Sequence, residues 1–367
     1  MPKSRLHQLS ELGQSVWIDY LSRDLIHQGE LERMTEEDAV VGITSNPTIF
    51  QKAISQGDAY DEQLRELLAD DQDDVEVFFR LAERDVSDAC DLLRGIWEQT
   101  AGRDGYVSIE VDPNLAYQRE ATFEQAKELH ERINKPNLFV KIPATEPGLG
   151  AIEECIARGK SINVTLIFSL ARYEAVAQAY IRGLERLVED GGDPSRVASV
   201  ASFFVSRVDT EADKRLDAVG HPELKGKLAI ANAKLAYERY QELFSGERWA
   251  ALAAKGATKQ RCLWASTSTK NPEYRDVMYV EELIGPETVN TMPLETIEAF
   301  QDHGVVADTL EQGVDEARQL LEELAAAGVD YDDVTETLER EGVQKFSDSF
   351  AELLEGISAK RGELVSA

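Results

Sequence analysis

Cysteine is scarce in this chain of 367 residues: there are three, Cys90, Cys155 and Cys262, far apart and with no C-x-x-C pair. An odd, sparse set argues against a disulfide framework and a thiolate zinc site. It fits a reducing compartment, so a cytoplasmic location is expected. Histidine is nearly as scarce. His7, His27, His130, His221 and His303 show no ligand spacing, so neither a metal nor another cofactor is expected. Long apolar runs are missing: mean hydropathy is −0.35, and no stretch has transmembrane length. The start, Met1 to His7, is charged but has no apolar segment behind it, so no signal peptide is expected. Positive charge is also in deficit, with 39 Lys and Arg against 69 Asp and Glu and a net charge of −30. Such a surface repels nucleic acid and anionic membrane unless it carries a local basic patch, so neither is an expected partner.

What is present is ordinary globular material. Hydrophobic residues make up 43% of the chain, enough for a sizeable core. The length allows two average domains or one large α/β barrel with extra helices. Two acidic clusters, Asp70–Asp74 and Asp330–Asp333, lack the glycine and terminal glutamate of an EF-hand loop. They read as solvated turns with helix N-caps.

Short apolar, β-rich runs alternate with amphipathic stretches along the chain. The runs are Ser15–Leu21, Ala39–Ser45, Tyr106–Val111, Leu138–Pro143, Ser161–Phe168, Val197–Val205, Arg261–Thr267 and Val289–Met292. Helical patterns cover Asp74–Gln99, Ala116–Ile133, Gly148–Arg158, Leu170–Glu189, Asp209–Phe244 and Pro272–Leu283. This alternation implies βαβ crossovers and a parallel sheet. Eight units predict an α/β fold of the (β/α)8 TIM-barrel type. The open doubly wound sheet is the competitor, but no G-x-G-x-x-G follows an early strand. Lys3–Leu12 predicts an additional N-terminal helix, and Asp308–Ala326 and Asp333–Ile357 predict C-terminal ones. The expected organisation is one barrel domain over 1–367, with 1–14 an N-terminal helix and 305–367 C-terminal helices packing on the barrel.

Strands of a parallel barrel are buried on both faces, so polar residues inside them need a reason. Successive side chains point to opposite faces. Ser108, Glu110 and Asp112 share one parity; Asn163 and Thr165 share another strand's; Thr44 with Asn46, Asp19, and Ser202 with Phe204 follow the same pattern. Each alone is most simply a hydrogen-bonded core group. Recurrence on five strands, near their C-terminal ends, points instead to an active site inside the barrel mouth. Lys141 stands within the apolar run Leu138–Ala144. Burial strips an ammonium of hydration and favours the neutral amine, a nucleophile toward carbonyls. The alternative at this stage is a lysine simply paired with Glu110 or Asp112 across the barrel.

The blocks Gly42–Thr48, Val107–Asp112, Leu138–Thr145, Ile162–Ser169, Ser202–Arg207 and Trp264–Pro272 stand on successive predicted strands. Together they resemble the transaldolase family, in family order, from about Ser15 to His303, and the length is similar to its longer bacterial branch. The resemblance implies transfer of a dihydroxyacetone unit between sedoheptulose 7-phosphate and glyceraldehyde 3-phosphate, giving erythrose 4-phosphate and fructose 6-phosphate. That reaction belongs to the non-oxidative pentose phosphate pathway. The resemblance also implies a class I aldolase mechanism without metal. Residue by residue it makes Lys141 the Schiff-base lysine and Asp19 the acceptor of the proton from the C4 hydroxyl. Glu110 then works through a water with Thr165. Asn46 and Asn163 hold the dihydroxyacetone hydroxyls, Thr44, Ser108, Ser202 and Phe204 line the site, and Arg207 binds phosphate. One departure is visible: Lys270 stands where many members present a second phosphate-binding arginine, with Ser268 as a further contact. Lysine binds phosphate as a point charge, not as a fork.

Three other readings compete: a catalytically inactive barrel acting as a binding or assembly partner, a metal-dependent sugar-phosphate barrel, and a simple fructose 6-phosphate aldolase. The joint presence of Asp19, Glu110 and Lys141 argues against the first. The simple aldolases are much shorter and lack this glutamate arrangement. Sugar-phosphate partners require a cationic mouth on an acidic molecule, for which Arg207 and Lys270 are the candidates. Either a monomer or a homodimer is compatible with the sequence.

Overall fold

The computed structural model describes residues 4–55, 58–68 and 73–366. Its centre is a closed barrel of eight strands in sequential order. They are β1 Gln14–Ile18, β2 Val40–Ile43, β3 Val107–Glu110, β4 Leu138–Pro143, β5 Ile162–Ile167, β6 Ser199–Phe204, β7 Arg261–Ala265 and β8 Thr288–Met292. All neighbours run parallel, and β8 closes on β1 from Gln14↔Thr288 to Ile18↔Met292. The β-branched and aliphatic content of these runs suits strands buried on both faces.

Contacts between strands that are not neighbours cross the barrel interior and show how it is filled. At the lower end Asp104 accepts from Ser15, Trp17 and Arg261, and Arg261 also donates to Ser15. Above this, Trp17 of β1 stacks on Phe139 of β4 at 6.1 Å, and Phe139 stacks on Tyr106 at 4.1 Å. Trp17 fits because β2 offers Gly42 there: a Cβ at Gly42 would fall 2.4 Å from the indole. The polar side chains lie above this plug, toward the C-terminal strand ends.

Several expected helices differ in extent. The Asp209–Phe244 pattern is two helices, Ser206–Val219 and Leu228–Leu243. Gly220, at φ +82°, ends the first, and Pro222 opens a single 3₁₀ turn between them. The Pro272–Leu283 pattern yields only Met278–Glu281. The N-terminal helix is Arg5–Glu11, capped by Ser4. Lys3 lies outside the described residues, and by Gln14 the chain is already in β1, so residues 1–14 are not all helix. Short helices at Arg23–His27, Glu30–Glu37, Pro47–Ser55 and Asp61–Leu68 fill segments for which no helix was expected. Asp73 caps Asp74–Gln99, and Asp330 accepts from the amides of Asp332 and Asp333, as turn-and-cap residues do. Asp70, Asp71 and Gln72 lie outside the described residues.

The last helices bear directly on the site. Val314–Ala326 begins after Gly313, six residues later than the pattern suggested. The final helix, Tyr331–Ser366, is longer than expected, at 36 residues, and crosses the C-terminal end of the barrel. Ser349 accepts a hydrogen bond from Thr48, Phe350 packs edge-on against Phe78 at 5.4 Å, and Glu339 pairs with Arg172 at 3.2 Å. Gly342 lets the helix sit close: a Cβ there would lie 3.1 Å from Leu166. Leu166 itself has φ +59°, at a bulge in the β5–β6 register. Left-handed backbone is costly for a branched residue and often marks a functional site.

Candidate active site

In-register parallel pairing sets side chains of one parity next to one another at the same height. Glu110 of β3 pairs with Lys141 of β4, and Lys141 with Asn163 of β5. Lys141 and Glu110 are each 5% exposed. The Lys141 Nζ lies 3.2 Å from Glu110 Oε2 and donates to the Ser45 carbonyl at 2.9 Å. Beyond that ion pair, neither Glu110 oxygen has a hydrogen-bond partner among the described residues, nor does the buried Thr165 hydroxyl. Buried polar atoms left this way are rare and need a reason.

Across the mouth, Asp19 follows directly on β1. Its carboxylate accepts from Thr44 at 2.7 Å, and Thr44 in turn contacts Thr291 of β8 at 2.7 Å. Below, Ser202 donates to Asn163 at 2.7 Å and Asn163 donates to Ser108 at 3.1 Å, tying β6, β5 and β3 together. Asn46 accepts from the amide of Ile49 and so caps the helix Pro47–Ser55. Phe204 packs against Phe168 with tilted rings 5.2 Å apart and lies 5.0 Å under the Arg207 guanidinium. Ser266, just past β7, is held at φ +57°. Its carbonyl accepts from Ser206, which starts the helix carrying Arg207. Two residues past Ser266, Ser268 accepts from Lys270 at 2.6 Å.

These groups surround a cavity of about 580 Å³, a size typical of small-molecule sites. Asp19, Thr44, Asn46, Lys141, Thr165, Ser202, Phe204, Arg207, Ser268 and Lys270 line it. Ser108 and Asn163 do not; both are fully buried beneath it. Glu110 borders an adjoining crevice with Ser45 and Asn46 and reaches the cavity through Lys141. Asp112, the other acid weighed for Lys141, instead caps the 3₁₀ turn Pro113–Leu115. Among the described residues, no three His, Cys, Asp or Glu converge as metal ligands.

The two carboxylates respond to enclosure. Burial raises the pKa of Glu110 above its ordinary value, opposed mainly by the Lys141 charge. Burial also raises Asp19, opposed by Lys141, by the Thr44 hydrogen bond and then by Arg207 and Lys270. Burial lowers Arg207, against the pull of Asp19 and Glu110. Lys270 is lowered by partial desolvation and by the like charges of Arg207 and Lys345.

Several lining residues lie outside the sequence-based set. Thr291 follows the same parity rule on β8. Lys345, Phe346 and Glu341 come from the final helix, Lys52 and Thr48 from Pro47–Ser55. The Phe346 ring lies 5.9 Å from the Lys141 Nζ and 5.8 Å from the Arg207 guanidinium. The lining holds five cations (Lys52, Lys141, Arg207, Lys270, Lys345) against four acids (Asp19, Glu211, Glu295, Glu341), a reversal of the balance in the whole chain. Of those acids Glu211 is already bound to Arg215. Lys52, Arg207, Lys270 and Lys345 form no ion pair among the described residues.

A family model described as Transaldolase/Fructose-6-phosphate aldolase matches residues 16–357. A protein named Transaldolase from Frankia alni is 54% identical, covering 97% of each chain. One of the same name from Parafrankia sp. is 53% identical over 98% of this chain and 99% of its own. A Transaldolase 2 from Streptomyces coelicolor is 50% identical over 97% and 96%.

Proposed function

The chain belongs to the transaldolase/fructose-6-phosphate aldolase family, and from that premise we propose that it is a transaldolase, a transferase of ketone residues that carries dihydroxyacetone from sedoheptulose 7-phosphate to glyceraldehyde 3-phosphate. The observation that carries this reading is a buried lysine paired with a buried glutamate, with a second carboxylate, Asp19, on the same cavity and unpaired cations around its rim.

The Lys141 amine attacks the C2 ketone of the donor, giving a carbinolamine. Loss of its hydroxyl as water gives the iminium. Glu110 and Thr165 act here through a water between them; their buried, unpartnered oxygens suit that role. Burial raises Glu110 above its ordinary value, which favours a group that holds and returns a proton. Asp19 takes the proton of the C4 hydroxyl. The C3–C4 bond breaks, its electron pair flows into the iminium, and an aldose phosphate leaves. The enamine that remains is neutral and needs no metal. It then adds to the acceptor aldehyde while Asp19 returns its proton, and hydrolysis of the new iminium frees Lys141. Asn46 and Ser202 orient the three-carbon unit, and Asn163, buried beneath the cavity, holds the Ser202 hydroxyl. Arg207, Lys270 and Ser268 hold the phosphate and counter the −30 charge of the whole molecule.

Transfer, as opposed to simple cleavage, requires that water be kept from the enamine. Phe346, 4% exposed and above Lys141, supports this. The enzyme works on sugar phosphates in the cytoplasm, as a monomer or a homodimer. Its cysteines are free thiols, and no helix among the described residues is long and apolar enough to cross a membrane. The test is product analysis with purified protein, sedoheptulose 7-phosphate and glyceraldehyde 3-phosphate. Equal amounts of erythrose 4-phosphate and fructose 6-phosphate are expected. Free dihydroxyacetone in place of fructose 6-phosphate would make it a simple aldolase, and activity lost to EDTA would refute the metal-free mechanism.

A further inference from the structure

Lys345 is a cation on the final helix, roughly 200 residues in sequence from Lys141, yet it lines the same cavity. It has no carboxylate partner among the described residues, although acids outnumber bases 69 to 39 in the chain. It sits close enough to Lys270 for its charge to act on that ammonium, as that of Arg207 does. Three cations from three separate elements therefore line one cavity with no carboxylate in ion-pair contact, although Asp19 and Glu295 act on Lys270, and Asp19 and Glu110 on Arg207, from further away. Repulsion of that kind is relieved when an anion binds among them. The position of Lys345 is fixed on both sides. Phe346, the next residue, is buried against the Arg207 guanidinium, and one turn on Ser349 is hydrogen-bonded to Thr48. Gly342, one turn earlier, seats the helix on Leu166.

We propose that Lys345 is a phosphate-binding residue of this site, delivered by the final helix to the anion subsite of Arg207 and Lys270. The final helix thus forms one wall of the substrate site and supplies the point charge that completes a phosphate cradle in which Lys270 offers no fork. The identification of the phosphate as that of a sugar rests on the transaldolase reading; binding of a phosphate dianion does not.

The test uses the full-length protein and the variants Lys345→Ala, Lys345→Arg and Lys255→Ala. Lys255 is an exposed lysine away from the cavity and controls for the loss of one charge. Binding of inorganic phosphate is measured by calorimetry, without turnover. KM and kcat are measured with fructose 6-phosphate and with fructose as donors. A charge-assisted contact of this kind corresponds to a factor on the order of ten in affinity. Lys345→Ala should weaken inorganic phosphate binding and raise KM for fructose 6-phosphate by about that factor. It should leave kcat, and the KM for fructose, unchanged. Lys345→Arg should recover most of the loss, and Lys255→Ala should match the parent. Unchanged phosphate binding in Lys345→Ala would overturn the proposal, as would a parent that binds no phosphate. Equal losses with fructose and fructose 6-phosphate would reduce Lys345 to a residue that merely positions the helix. A parent that binds phosphate through Lys345 but transfers no carbon would refute the transaldolase reading and leave this one standing.

Discussion

Replacing Lys141 by alanine removes the nucleophile and also strands Glu110, and the second effect can be sized from the structure. The ion pair is 3.2 Å long and both residues are 5% exposed. At an effective dielectric of about 20, such a pair attracts with about 5 kcal/mol. Removing one partner of a buried pair costs ~3 kcal/mol or more when the other must stay charged. Glu110 can escape by taking a proton. Its folded pKa is already raised above the ordinary 4.5, and Lys141 is the main influence holding it down. Between 4.5 and that raised value, the folded protein holds a proton that the unfolded chain has lost, so this group's contribution falls as pH rises through that window. Without Lys141 the window widens upward. Lys141→Ala should therefore lose about 3 kcal/mol relative to the parent at pH 8, and less at pH 5, where Glu110 takes up a proton more readily. At roughly 2 °C per kcal/mol for a chain this long, the Tm deficit should be about 6 °C at pH 8 and smaller at pH 5. Thermal unfolding followed by circular dichroism measures both. Adding Glu110→Gln should recover part of the deficit at pH 8, and neither variant should transfer carbon. Equal deficits at the two pH values, or no recovery in the double variant, would refute the reasoning.

Glu110→Gln alone should slow iminium formation and hydrolysis more than carbon–carbon cleavage; rapid-quench measurement showing every step slowed alike would remove Glu110 from that role. Gly42→Ala sets a Cβ 2.4 Å from the Trp17 indole, an overpacking that should cost ~1–3 kcal/mol. Its Tm should fall, and Trp17→Phe in the same chain should restore part of the loss; an unchanged Tm would mean that the barrel plug is looser than described. Phe346→Ala opens the space above Lys141 and should raise the share of free dihydroxyacetone severalfold over transferred product, read by chromatography of quenched reactions. An unchanged ratio would show that Phe346 does not shield the enamine.

The barrel was legible because each strand repeats the same two-residue logic. Apolar residues of one parity face the helices, and polar ones of the other parity gather near the strand ends. That logic also predicts which side chains meet, since parallel register brings Glu110, Lys141 and Asn163 to one height. Applied to β8 it would have reached Thr291 as well. It could not reach Ser45, which acts on Lys141 through a backbone carbonyl that every residue possesses. Lys345 and Phe346 were hidden for another reason. They lie on one face of a long helix with no local mark of function, and only its packing across the barrel brings them to the cavity. The break between Ser206–Val219 and Leu228–Leu243 was written in Gly220-His221-Pro222, a stop signal overridden by the amphipathic pattern on either side.

The most direct test of the central claim is chemical trapping at Lys141. The protein is incubated with fructose 6-phosphate, reduced with borohydride, digested and analysed by mass spectrometry. One adduct is expected, a reduced dihydroxyacetone unit on the peptide that contains Lys141, which is absent from Lys141→Ala. An adduct on a different lysine, or turnover that continues with no adduct formed, would contradict the claim.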